Sequence, residues 1–201
     1  MEDEEEIDVP IENELEQRIA DAFSVFDQYQ TKIIDLKDVA SVIRGLGCCP
    51  TEAEIQDIIN GLKNSKWPGC VHLVNFLPKV FTFISDHKYE PASPEQLMEA
   101  FRSLDPKGLG YLTKDEMAEI MFTDGEPFTQ DELDEMFEIA IDPLTNTVNY
   151  EYYINQIMYE PVGENSVYTL ADRIEAEKPP PPPPQRSMSE YFRRVASQMN
   201  L

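Results

Sequence analysis

The 201-residue sequence holds only three cysteines, two histidines and eight glycines, which narrows its chemistry at once. Cys48, Cys49 and Cys70 are odd in number, the first two are adjacent, and no C-x-x-C spacing occurs. That usage supports neither a disulfide framework nor a zinc site, and it points to a reducing compartment. His72 and His87 sit in no nucleophile or metal motif. A glycine-rich phosphate loop, a serine elbow and a paired catalytic signature are all missing, so an enzyme is not expected. No apolar run approaches the roughly 18 residues needed to span a bilayer. Met1 to Glu6 is acidic without an apolar stretch, so no secretory leader is expected and the reading is soluble and cytoplasmic. Positive charge is the scarcest resource: 16 Lys and Arg face 39 Asp and Glu, a net of −23. Such a surface repels nucleic acid, anionic membrane and the acidic wall of a bare microtubule, and it favours cationic helices or metal ions.

What is present is helical periodicity. Hydrophobic residues make up 41% of the chain and aromatics 10%, enough to build packed cores. Leu15, Ile19, Ala22, Phe23 and Phe26 recur at spacings of three and four, one apolar stripe of a helix. Val39, Val42, Ile43 and Leu46 form a second stripe that ends at Gly47, a residue suited to the position after a helix. Thr51 with Glu54 makes a capping box ahead of Ile55, Ile58, Ile59 and Leu62. A fourth stripe uses Phe76, Leu77, Val80, Phe81 and Ile84. The order then repeats after the proline-broken segment 89–94: Leu97, Phe101 and Leu104; Met117, Ile120 and Met121; Leu133, Met136, Phe137 and Ala140; Tyr153, Ile154, Ile157 and Met158. Two similar halves are expected, residues 12–88 and 95–160, between an acidic frayed segment 1–11 and a tail 161–201. The tail has a short charged segment from Leu170 to Lys178 and six prolines, Pro179 to Pro184, that form a polyproline II spacer. Beyond them Tyr191, Phe192, Val195 and Met199 fall on one side of a basic stretch, which reads either as part of a disordered spacer or as a docking helix.

The four connections between stripes carry the calcium-loop spacing to different degrees. A working loop offers oxygen ligands at positions one, three, five and nine, a carbonyl at seven, glycine at six and a bidentate Glu at twelve. Loop 105–116 comes nearest, with Asp105 at one, Gly110 at six, the Tyr111 carbonyl at seven, Thr113 at nine and Glu116 at twelve. Lys107 and Leu109 replace the oxygen ligands at three and five. Calcium at Asp105, Tyr111, Thr113 and Glu116 is therefore expected to be weak or absent, the competing reading being a purely structural loop. Loop 27–38 has Tyr29 at three, Lys32 at six and a short Asp38 at twelve. Loop 63–75 is one residue too long for the template and ends in Asn75; loop 142–152 is one residue too short and ends in Tyr152. None of these three is expected to bind metal. Ile34, Val71, Leu112 and Val148 keep the apolar strand position, which preserves pairing between loops.

The runs Ala22-Phe23-Ser24-Val25-Phe26-Asp27, Val42-Ile43-Arg44-Gly45-Leu46-Gly47 and Pro50-Thr51-Glu52-Ala53-Glu54-Ile55 resemble calmodulin, as does Val148-Asn149-Tyr150-Glu151-Tyr152-Tyr153. The resemblance covers about residues 12 to 160. Leu46-Gly47-Cys48-Cys49-Pro50-Thr51-Glu52, Phe76-Leu77-Pro78-Lys79-Val80, Leu112-Thr113-Lys114-Asp115-Glu116 and Asp124-Gly125-Glu126-Pro127-Phe128 are similar to the EF-hand subunits of the nexin–dynein regulatory complex. That resemblance implies an all-α fold of two calmodulin-like lobes, each a pair of EF-hands. It also implies a place on the cytoskeleton of the ciliary or flagellar axoneme, contributing to doublet linkage and to regulation of dynein-driven sliding. The second half holds Met98, Met117, Met121, Met136 and Met158, whereas residues 12–88 hold no methionine. These residues read either as ordinary core or as a groove for basic amphipathic helices of coiled-coil or IQ type. A free cytosolic calcium sensor or a myosin-type light chain is the competing functional reading.

Overall fold

The computed structural model describes residues 7–158 and 166–179. In chain order the elements are α1 (Glu14–Ser24), β1 (Ile33–Asp35), a 3₁₀ turn (Leu36–Asp38), α2 (Val39–Gly45), α3 (Glu52–Leu62), β2 (Cys70–His72) and α4 (Leu73–Ser85). The second half repeats the order with α5 (Pro94–Leu104), β3 (Tyr111–Thr113), α6 (Lys114–Thr123), α7 (Gln130–Ala140), β4 (Thr147–Asn149) and α8 (Tyr150–Ile157). Helix α9 (Val167–Glu177) follows. No helix among the described residues is long and apolar enough to cross a membrane.

Local chemistry accounts for where these helices start. Asn13 caps α1 by accepting from the Glu16 N–H, and Glu14 and Glu16 place negative charge on the positive end of the helix dipole. Reciprocal capping boxes open α3 (Thr51, Glu54), α5 (Ser93, Gln96, with Pro94 at the first position), α6 (Thr113, Glu116) and α7 (Thr129, Glu132). Gly47 follows the C-cap Leu46 of α2, and its φ of +87° lies in the left-handed region that a side chain resists.

Each half closes on a two-stranded antiparallel ribbon. Ile34 pairs with Val71, flanked by Ile33–His72 and Asp35–Cys70. Leu112 pairs with Val148, flanked by Tyr111–Asn149 and Thr113–Thr147. All four central residues are buried, so the ribbon links the two loops of a lobe by main-chain hydrogen bonds and by an apolar pair beneath them. Leu15, Ile19 and Phe23 of α1 meet Phe76, Val80 and Ile84 of α4 in the first core, with the Phe23 and Phe76 rings 5.1 Å apart. A separate second core gathers Phe101, Leu112, Met117, Leu133, Phe137, Val148 and Ile154. Cys48 is buried, Cys49 exposed and Cys70 half-buried, all as free thiols.

Three segments make contacts that their sequence did not announce. The segment Leu170 to Lys178 is no charged tail: helix α9 packs on α1 and α4, and its Val167, Tyr168, Leu170 and Ala171 are buried in the first core. Its charges, Asp172, Arg173, Glu175 and Glu177, mask a stripe formed by Val167, Leu170, Ala171 and Ile174 at helical spacing. Within the expected frayed segment 1–11, Val9 packs on the first core and the Ile7 carbonyl accepts from Lys32 Nζ at 3.2 Å. The expected linker 89–94 begins with Tyr89, which packs edge-on against Phe83 and accepts the Cys49 N–H at 2.7 Å through its carbonyl. The proline run Pro179–Pro184 beyond its first residue and the terminal stretch with Tyr191, Phe192, Val195 and Met199 lie outside the described residues.

Candidate functional site

All four loops keep one backbone device. The residue two positions before the central strand residue is left-handed: Lys32 (φ +60°), Gly69 (+79°), Gly110 (+81°) and Asn146 (+53°). Glycine serves two of them, and asparagine is the side chain that best tolerates this region. Gly69 and Asn146 fall at this position when their loops are registered on Val71 and Val148, because the ribbon fixes the end of each loop. Lys32 takes the same conformation against its own preference. The carboxylate of Asp27 holds it there, accepting N–H bonds from Thr31 at 3.0 Å and from Lys32 at 2.6 Å.

Asp105 plays the same part in the third loop. Its carboxylate accepts the Gly110 N–H at 2.8 Å and the hydroxyl of Tyr150 at 3.2 Å. The Leu109 N–H, with those of Gly110 and Gly108 and the Tyr150 hydroxyl, holds the Asp105 carboxyl below its ordinary value of 3.8 against the opposing effect of burial. Tyr150 reaches it from the start of α8, where its ring stacks on Phe101 at 5.5 Å and is itself buried. No sequence rule for calcium loops flags Tyr150, since it belongs to the other loop of the pair.

Two of the expected calcium ligands are engaged with each other. Glu116 turns back on its own helix, accepting the Thr113 N–H at 2.9 Å and the Thr113 hydroxyl at 2.7 Å. Those two bonds, with Lys107 nearby, hold its carboxyl below the ordinary 4.5. Thr113 Oγ1 is therefore spent as a cap, Tyr111 is a strand residue, and Leu109 stands exposed where an oxygen ligand is needed. Calcium takes six to eight oxygens at 2.3–2.6 Å, and among the described residues no group of three or more His, Cys, Asp or Glu could hold a metal ion. Carboxylates already bonded to the loop backbone, beside Lys107, fit a self-closed loop better than a calcium site.

The other loops are held by contacts of their own. Trp67 stacks on His72 at 4.8 Å, and His72 Nδ1 accepts the Val74 N–H, which caps α4. Burial pushes the His72 pKa down, reinforced by Lys32 and Lys66. In the fourth loop the Asp142 carboxylate accepts the Leu144 N–H at 2.8 Å. Tyr152, at the position of the terminal Glu, is exposed, and its hydroxyl accepts from Gln156. A cleft of about 510 Å³ lies there, walled by Ile139, Ile141, Asp142 and Tyr152.

The methionines divide. Met117 is only 1% exposed and belongs to the core, so it does not line a groove in this conformation. Met98, Met121, Met136 and Met158 are half-buried around the second core. Charge divides too. Residues 94–158 carry 15 Asp and Glu against three Lys and Arg, a net of −12, whereas residues 12–88 carry 11 against eight, a net of −3.

Comparison with known proteins agrees with this architecture. The EF-hand domain pair family matches residues 94–151. The mouse protein named dynein regulatory complex protein 8 is 40% identical over 147 residues, 73% of this chain and 90% of that protein. Its human namesake is 36% identical over 108 residues, 54% of this chain and 40% of the human protein. Among solved structures, Mlc1p bound to the second IQ motif of Myo2p, a class V myosin, superposes with a TM-score of 0.55 at 20% identity, covering 70% of this chain and 96% of that one. The myosin II regulatory domain of Physarum polycephalum gives 0.54 at 22% identity, covering 74% and 98%. These two likenesses establish the fold, mostly helical and built like calmodulin and the myosin light chains. The match to the mouse protein, which spans nearly its whole length, goes further: this chain belongs to the dynein regulatory complex protein 8 family of EF-hand proteins.

Proposed function

We propose that the chain is a non-enzymatic subunit of the nexin–dynein regulatory complex on the ciliary or flagellar axoneme, and that its second lobe grips a basic amphipathic helix of a scaffold subunit. The observation that carries this reading is the asymmetry of the halves. The second combines a net charge of −12 with four half-buried methionines, Met98, Met121, Met136 and Met158, around its core. Methionine is unbranched and polarizable, so it repacks against an incoming apolar face at little cost, and acidic surroundings draw a cationic helix to it. The role follows from that grip: holding a coiled-coil or IQ-type helix in place contributes to doublet linkage and to regulation of sliding. The acidic surface favours attachment through other subunits over the microtubule wall, so purified protein should stay in the supernatant when bare microtubules are sedimented at physiological salt.

Calcium enters as a minor element of this proposal. The third loop takes it more weakly than the roughly 10⁻⁷–10⁻⁵ M range of sensors, because Lys107 and Leu109 stand at ligand positions. The same departure disfavours a free cytosolic sensor. The test uses a synthetic IQ-type basic helix with a fluorophore. Met121→Gln with Met136→Gln should weaken its binding about tenfold while leaving the helical circular dichroism unchanged. Equal affinity in the double variant would place the grip elsewhere, and a tagged chain that washes off axonemes in moderate salt would count against the subunit role.

A further inference from the structure

The duplication within this chain supplies a control for its ninth helix. Both lobes build the same four helices and paired loops, yet among the described residues only the first carries an extra helix against its outer pair, α1 and α4. The second lobe closes its core of Phe101, Leu133, Phe137 and Ile154 without any such helix among the described residues. The first core runs from Leu15 to Ile84 and also takes in Val167, Tyr168, Leu170 and Ala171 of α9. Measured against the second lobe, helix α9 is an addition, laid on the outer helix pair as a ligand is seated.

Its contacts have the form of helix-in-groove recognition. Val167, Leu170, Ala171 and Ile174 present one apolar face to the first core. Tyr168 is the anchor: 2% exposed, it lies against the His87 ring at 5.6 Å and donates its hydroxyl to the Lys88 carbonyl at 3.0 Å. Polar ties close both edges, with Asp172 on His87 Nε2 at 2.9 Å and Arg173 paired with Glu14 of α1. The charge of the occupant is less well matched than its shape. Residues 167–178 carry Asp172, Glu175 and Glu177 against Arg173 and Lys178, a net of −1 beside a lobe, residues 12–88, of net −3. A helix with the same apolar face and positive charge would be favoured over α9 on this surface.

We infer that the α1–α4 face of the first lobe is a second helix-docking site, held by the chain's own α9 until a cationic amphipathic helix with an aromatic anchor displaces it. This stands independently of the grip assigned to the second lobe. A tethered occupant competes at high effective concentration, so the first lobe binds only strong competitors and the second lobe binds first.

Hydrogen exchange on the full chain tests the inference. The amides of α9 should exchange through an opening of their own, with protection at least tenfold lower than those of α1 and α4. If α9 exchanges only together with α1 and α4, it is a permanent core helix and the inference fails. The probe for the vacated face is a labelled synthetic peptide of residues 165–179 bearing Glu175→Lys and Glu177→Lys. It should bind full-length Ala171→Glu, in which a charge undocks α9, at least tenfold more tightly than the unaltered chain. Should Ala171→Glu disturb the lobe, the peptide is added to the unaltered chain at high concentration, where it should deprotect α9 amides while sparing α1. Equal binding to both chains with α9 undisturbed would overturn the inference.

Discussion

Lys107 and Leu109 stand at the third and fifth positions of the loop whose ends, Asp105 and Glu116, are still acidic. Changing both to aspartate replaces one positive charge and one exposed apolar side chain by two carboxylates, on a loop whose turn at Gly110 is already left-handed as calcium loops require. With ligands restored, a dissociation constant of about 10 μM lies at the weak end of the sensor range. At 1 mM calcium the free ion then exceeds that constant about a hundredfold, which stabilises the folded state by about 2.7 kcal/mol. For a chain of this size that corresponds to a rise in Tm of roughly 5–10 °C. The unaltered chain should move by less than about 1 °C under the same conditions. Thermal unfolding followed by circular dichroism, with and without calcium in millimolar magnesium, reads the difference. Adding Glu116→Gln to the double variant should remove most of the gain. A double variant with no calcium-dependent shift would refute the reasoning: the obstacle would then be the closed hydrogen-bond set on Asp105 and Glu116, and not the missing donors.

Two further outcomes follow from the loops and the ninth helix. Lys32 occupies a left-handed conformation that disfavours a side chain by about 1–2 kcal/mol, so Lys32→Gly should stabilise the first lobe by roughly 0.5–1 kcal/mol after glycine's added unfolded-state entropy; a loss larger than about 1 kcal/mol in urea unfolding would mean that the Nζ contact with Ile7 outweighs the backbone strain. The hydrogen bond that the imidazole donates to Glu90, then that to Asp172, raises the His87 pKa above 6.5, opposed by desolvation. A raised value means the ion-pair contribution to α9 docking is complete below about pH 6.5 and fades as pH rises through the raised value. Exchange of α9 amides, corrected for intrinsic rate, should therefore quicken between pH 6 and 8.5, and His87→Asn should flatten that dependence; identical profiles would exclude His87 as a contributor.

The sequence by itself determined the repeat of two four-helix halves, because stripes at spacings of three and four and capping residues such as Thr51 with Glu54 are local signals. It also exposed the defects of the third loop, since Lys107 and Leu109 are wrong at their positions whatever surrounds them. Only the tertiary structure decided what the retained acids do instead. Asp105 is closed off by Tyr150, 45 residues away in sequence, and a hydrogen bond of that range leaves no periodic trace. Glu116 belongs equally to a calcium loop and to a capping box, and the same two letters, Thr113 and Glu116, write both. Met117 shares its spacing with Met121, yet one is core and the other half-exposed, a distinction set by which helix packs over it. Helix α9 left the faintest trace in the sequence, for four charges hide its stripe and its partners α1 and α4 lie more than 80 residues earlier in the chain. Local patterns specify helices, whereas the destination of an amphipathic face is decided by which other apolar surface remains uncovered when the rest has folded.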